Sequence, residues 1–175
     1  LPHCGIATEA DVLTIHRLKT AMYTFVSPLQ LGMTLSDALP EHIQAIERYG
    51  TPVGIAFQIQ DDYLGLFGNA QELGKSVTSD VEEGKKTLLT VYALQHASPA
   101  AQQRLRAILG RSLVTPEEFE DVRAIVRESG AAAHSEEQAR LLIEAGVDAL
   151  ENVSIDTNVR LILRDIAEYV VRRTT

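Results

Sequence analysis

The feature that most constrains this chain is a three- and four-residue apolar rhythm that Glu41 opens and that runs for more than six turns. Ile43, Ile46, Gly50, Val53, Phe57, Asp61 and Leu64 fall in register on one helical stripe. That period belongs to an amphipathic helix, and a strand, whose side chains alternate every two residues, cannot sustain it. Gly50 and Gly54 would each weaken an isolated helix, so their presence predicts a neighbouring helix in close contact. Pro52 adds a possible kink.

The same rhythm recurs on either side. Val12, Ile15, Leu18, Met22, Phe25, Val26 and Leu29 predict a helix from Asp11 to Leu31, with Pro28 marking a kink or an early stop. Phe67-Gly68-Asn69 closes the long helix, and Gly68 to Glu83 reads as a long mobile connection. Further helices are predicted over Thr87–Ala97, Ala100–Leu109, Thr115 to about Gly130, Ala131–Leu150 and Asp156–Arg172. Thr115-Pro116-Glu117-Glu118 is a helix start, with a capping hydroxyl, proline in the first turn and an acid placed to return the cap bond. The sum is an all-α protein of roughly seven helices forming one domain over residues 1–175, with no repeat and no dividing linker. Aromatics at 5% and no Trp fit that class better than a β-sandwich.

A net charge of −8 sets nucleic acid and anionic membranes against the global field, so neither is expected as a partner. No run of apolar residues is long enough to span a bilayer, and no signal peptide is readable. The single Cys4 excludes an internal disulfide and fits a reducing compartment, so the expected location is cytoplasmic. His3, His16, His42, His96 and His134 show no paired metal-ligand spacing.

The chemistry concentrates in Phe57 to Gly68. Gln58, Asp61, Asp62 and Gly65 stand at i, i+3, i+4 and i+7, a polar stripe in an apolar helix. Adjacent carboxylates there repel and call for a cation. Mg²⁺ suits them, because it takes one or two carboxylates, keeps waters and bridges to phosphate oxygens. Alone, an Asp-Asp pair reads first as a solvated helix face. The neighbours weigh against that: Gly74-Lys75, Asp80 and Glu83-Gly84-Lys85-Lys86-Thr87 follow, and Lys19-Thr20 lies upstream in an apolar helix. Lysine meets a phosphate as a point charge, and glycine allows the backbone close.

These pieces together resemble a trans-isoprenyl (polyprenyl) diphosphate synthase. The matching segments are Lys19-Thr20-Ala21-Met22-Tyr23, Gly54 to Leu64 with Gln58, Asp61 and Asp62, and Gly74-Lys75 through Thr87-Leu88. The resemblance implies an isoprenoid-synthase-type helical bundle, of which this chain would be the C-terminal portion. It implies prenyl transfer between isopentenyl diphosphate and an allylic diphosphate, dependent on Mg²⁺, in a homodimer. It makes Asp61 a metal ligand supported by Asp62, sets Lys19, Lys75 and Lys85 on the leaving diphosphate, and turns the oxygens of Thr20 and Gln58 toward the developing cation.

Two departures qualify it. The family's second aspartate motif is Asp-Asp-x-x-Asp, and here the third acidic position is Gly65. The first such motif, with its paired arginines, is not in this sequence. The expectation is therefore a piece of a longer enzyme, inactive alone, or alternatively a non-catalytic binding or regulatory subunit. A different class, a helical interaction protein with surface aspartates, stays open on the residues alone. Arg172-Arg173 reads as a frayed basic end rather than a phosphate contact.

Overall fold

A computed structural model describes residues 7–68, 78–151 and 153–173. Among them the regular structure is all helical, with no strand, as the periodicity requires. In chain order the elements are α1 (Glu9–His16), a π-helical segment (Arg17–Val26), α2 (Ser27–Leu35), α3 (Pro40–Phe67), α4 (Ser79–Glu82), α5 (Leu88–His96), α6 (Pro99–Ile108), α7 (Pro116–Glu128), α8 (Ala131–Asp148) and α9 (Thr157–Arg172). No helix among the described residues is long and apolar enough to cross a membrane.

Two differences from the sequence reading have local causes. Where one helix over Asp11–Leu31 is expected, the middle is wound as a π-helix, and Ser27 N–H donates to the carbonyl of Met22, five residues back. Pro28 follows at once, with no N–H to donate and a ring that would strike the carbonyl four residues before it in an α-helix. The wider turn accommodates that ring, and the chain continues to Leu35 instead of stopping. The second difference is α4, a single helical turn inside the stretch read as a loop. Val81, 3% exposed, anchors it in the core. Residues 69–77, including Gly74 and Lys75, lie outside the described residues.

The chain forms two compact units, one from the described residues up to Val12 and from Asp61 to Glu136, the other from Leu13–Gln60 with Glu137–Arg173. In the first, Leu66, Val81, Leu89, Leu105, Ile108, Phe119, Val122 and Val126 build one apolar core. Two of its helices start on reciprocal caps. Thr87 Oγ1 accepts from Thr90 N–H while Thr90 Oγ1 accepts from Thr87 N–H. The expected cap at Thr115 forms in the same way with Glu118, both bonds at 3.2 Å. Each such cap satisfies two backbone donors that a helix start otherwise leaves unpaired.

In the second unit the glycines of α3 do what their cost in a helix implied. A Cβ on Gly54 would lie 2.5 Å from Ala21 Cα, and one on Gly50 would lie 3.2 Å from Val26 Cγ2. Both positions therefore seat α3 directly on the backbone of the π-helical segment. Gly146 brings α8 equally close, where a Cβ would meet Val53 Cγ2 at 2.7 Å. Tyr49, 1% exposed, fixes α9 by donating its hydroxyl to the Leu163 carbonyl at 2.7 Å.

Candidate active site

Helix α3 carries the polar stripe as the sequence places it. Asp61 is exposed, whereas Asp62, one residue on, is 3% exposed. Burial of a carboxylate this complete requires a partner. Lys85 supplies it: its Nζ lies 2.8 Å from Asp62 Oδ1 and 3.1 Å from Asp80 Oδ2. Burial alone would depress the lysine pKa. The charge and hydrogen bond of Asp62, with those of Asp80, outweigh it and hold the ammonium above the usual lysine range.

The backbone that delivers Lys85 is tightly made. Val81 O accepts from Gly84 N–H and Gly110 N–H, and Asp80 O accepts from Lys85 N–H. Gly84 sits at φ 63°, in the left-handed region, and a Cβ there would come within 3.1 Å of Gly110 Cα. Both conditions select glycine. Thr90 Oγ1 donates to the Lys85 carbonyl at 3.1 Å, tying the lysine to the first turn of α5.

In the other unit, Thr20 stands in the π-helical segment, 7% exposed, and its hydroxyl donates to Gln58 Oε1 at 2.6 Å. The hydroxyl proton is thus committed to Gln58, and the threonine oxygen keeps acceptor lone pairs. Lys19, beside it, is exposed. π-helical turns are rare and cluster at functional sites.

The structure brings together Asp62 with Lys85 and Thr20 with Gln58, and it keeps Asp61 on the same helix. Two residues were given no role by sequence reasoning. Asp80, named among the motif's neighbours without a role, shares the Lys85 ammonium. Arg173 is no frayed end: its guanidinium stacks 4.0 Å over the Phe57 ring, its Nη2 donates to Phe57 O at 3.2 Å, and its own carbonyl accepts from Gln60 Nε2 at 3.0 Å. Arg172 is exposed and pairs with Glu168 one turn back on α9.

Residues 3–128 match the polyprenyl synthetase family. The chain belongs to that family. A geranylfarnesyl diphosphate synthase of Aeropyrum pernix is 32% identical over 165 residues, covering 94% of this chain and 50% of the relative. A short chain isoprenyl diphosphate synthase of Methanocaldococcus jannaschii is 36% identical over 122 residues, 70% of this chain and 37% of the relative. Among solved structures, geranylgeranyl pyrophosphate synthase of Corynebacterium glutamicum, complexed with isoprenyl diphosphate and magnesium, superposes with a TM-score of 0.90. Its identity is 37%, over 95% of this chain and 47% of that one. A polyprenyl synthase of Caulobacter crescentus, complexed with calcium and isoprenyl diphosphate, gives a TM-score of 0.87 at 27% identity, over 96% and 51%. The all-α isoprenoid-synthase fold is thereby shown, and the chain spans about half the length of the relatives it matches.

Proposed function

We propose that this chain serves head-to-tail prenyl transfer. The C–O bond of an allylic diphosphate breaks with its electron pair on the departing diphosphate. The double bond of isopentenyl diphosphate attacks the allylic carbon, and a proton leaves to the released diphosphate, giving a longer allylic diphosphate. The observation that carries this reading is the Lys85 ammonium, held charged between Asp62 and Asp80 beside the exposed Asp61.

The donor set fits a hard divalent cation. Asp61 and Asp62 offer carboxylate oxygens only, and relatives were solved in complex with isoprenyl diphosphate and magnesium or calcium. Mg²⁺ bound here would neutralise the diphosphate and so ease its departure. Asp61 takes the direct ligand role, and Asp62 fixes Lys85. Lys85 presents its ammonium to phosphate oxygens, and Lys19 and Lys75 take the diphosphate-binding roles that the resemblance implies. Thr20 and Gln58 turn oxygen dipoles toward positive charge at the allylic carbon, the preorganised stabilisation that lowers such barriers most.

The decisive experiment is calorimetric titration of an allylic diphosphate analogue into the chain with Mg²⁺ and with a chelator. Binding should need Mg²⁺ and weaken at least about 10-fold in Asp61→Ala, since loss of even a group that supports a ligand costs that much. Equal binding in chelator sinks the reading. A second reading, a non-catalytic subunit that binds isoprenyl diphosphate, draws support from Gly65 at the third motif position. Radiolabelled isopentenyl diphosphate incorporation by the chain alone separates the two.

We also propose a cytoplasmic homodimer. The lone Cys4 supports the compartment. Val159, Ile162, Ile166 and Tyr169, each at least 44% exposed, line one side of α9 and support self-association through an apolar row that a two-fold axis would bury twice. Sedimentation equilibrium should find a dimer that Ile162→Glu dissociates; a monomeric wild type removes this part of the proposal.

A further inference from the structure

We propose that the second unit holds a separate site for a small neutral hydrocarbon group, of five or six carbons such as one isoprene unit, where α2, α3 and α9 meet. The inference goes beyond the diphosphate-site reading and does not depend on it. A cavity of about 160 Å³ lies there, walled by Leu29 and Met33 of α2, Ala45 and Ile46 of α3, Leu150 just after α8, and Leu163 of α9. All of them belong to the one unit. No nitrogen or oxygen atom faces the space, and His42, which also lines it, shows it only ring carbons.

Chemistry and size together select the ligand. A water needs several polar partners and a phosphate needs donors, and this lining offers neither. A hydrocarbon gains where both would lose, because each carbon set against the wall recovers dispersion contacts that a void forfeits. An apolar cavity of about 150 Å³ is known to take benzene, a ring of six carbons. The room exists because Ala45 puts a single methyl where two other helices converge on α3. The wall around it is held in place: Ala45, Ile46, Leu150 and Leu163 are each at most 7% exposed, and the Tyr49 hydroxyl, donating to the Leu163 carbonyl at 2.7 Å, pins α9 to α3. Val159, which lines the space and is 47% exposed, marks the way in. Self-association through the α9 row would close that side over a bound ligand. The site is also distinct from the Thr20–Gln58 pair, since between Ala45 and Gln58 the helix advances about 20 Å and turns the two side chains about 140° apart.

The test is an NMR titration of isoprene, and separately of benzene, into the chain with its methionine methyl groups isotopically labelled. The sequence has two methionines, Met33 in the wall and Met22 in the π-helical segment outside it. Each hydrocarbon should move the Met33 resonance to saturation and leave Met22 in place. At about 10 times its dissociation constant it should raise the melting temperature by about 3–5 °C. Ala45→Leu, which fills the space from within, should weaken binding at least about 10-fold, since displacing two or three buried carbons already removes that much. The wild-type titration decides the matter should Ala45→Leu not fold. An unmoved Met33, a drift of both methyls without saturation, or undiminished binding in Ala45→Leu each overturns the site. Neither Mg²⁺ nor a phosphate enters these measurements, so their failure leaves the diphosphate reading standing, and failure of that reading leaves this site untouched.

Discussion

Lys85 Nζ meets Asp62 Oδ1 at 2.8 Å, and the carboxylate side chain keeps only 2% of its exposure against 30% for the lysine. The pair is asymmetric: the anion is sealed in, and the cation keeps partial exposure. Removing the cation strands a buried charge, whereas removing the anion leaves a lysine able to turn to water.

Lys85→Met should accordingly cost about 3 kcal/mol, the lower end of what breaking a buried pair costs. Asp62→Asn should cost less, because the amide oxygen still accepts from the ammonium. Urea unfolding of both proteins checks the order. If Asp62→Asn is the more damaging, the strain does not lie in the stranded carboxylate.

The glycines separate by sign. Gly32, exposed in α2, would have nothing within 4 Å of an added Cβ. Gly32→Ala should therefore stabilise by about 0.5–1 kcal/mol, the helix-propensity gain. Gly54→Ala gains the same propensity but drives its Cβ to 2.5 Å from Ala21 Cα and 2.7 Å from Ala21 Cβ. Backbone must move there, and a net loss of about 1–3 kcal/mol follows. Denaturant midpoints of the two proteins should shift in opposite directions; a shared direction would mean that α3 is not seated on the π-helical segment as described.

That contrast also shows what could be read in advance. Gly50 and Gly54 were legible because glycine in a long helix is costly unless contact demands it. The Thr115 cap was legible because its residues are local. The π-helical winding of Arg17–Val26 was not, since over ten residues its apolar spacing resembles that of an α-helix and Pro28 reads as a stop. The contact of Asp80 with Lys85 was not, because the sequence does not show that Asp80 begins a helical turn whose side chain faces the lysine. Arg173 was not, because its partner Phe57 is 116 residues away and stacking leaves no local pattern. The aspartate pair and Lys85 stood out as a motif; only the fold shows that one aspartate is buried and the other exposed.

The Thr20 hydroxyl and Gln58 offer a narrower test. Thr20→Val keeps shape but removes the donor that lies 2.6 Å from Gln58 Oε1. A part-buried acceptor losing its donor should cost about 1–2 kcal/mol, and Thr20→Ser should recover most of it. Thermal melts of the two proteins read the difference. A Thr20→Val protein as stable as the wild type would show that the hydrogen bond contributes nothing to stability.

Alkaline pH should destabilise the fold for two identifiable reasons. Lys85 is held above its ordinary range: burial works against this, but the attraction of Asp62 and Asp80 prevails. Tyr49 is also raised, by burial. For both groups the folded state keeps a proton that the unfolded chain gives up near its ordinary value, about 10.4 for lysine and about 10 for tyrosine. Stability from each is fully present below those values and is lost as pH climbs toward the higher folded ones. Unfolding free energy should therefore be nearly flat with respect to these groups from about pH 7 to 9 and fall above about pH 10. Lys85→Gln and Tyr49→Phe should each flatten part of that fall, whatever their own cost at neutral pH. The slope of urea-derived stability against pH measures this directly, and an alkaline fall as steep in both variants as in the wild type would show that neither group is its source.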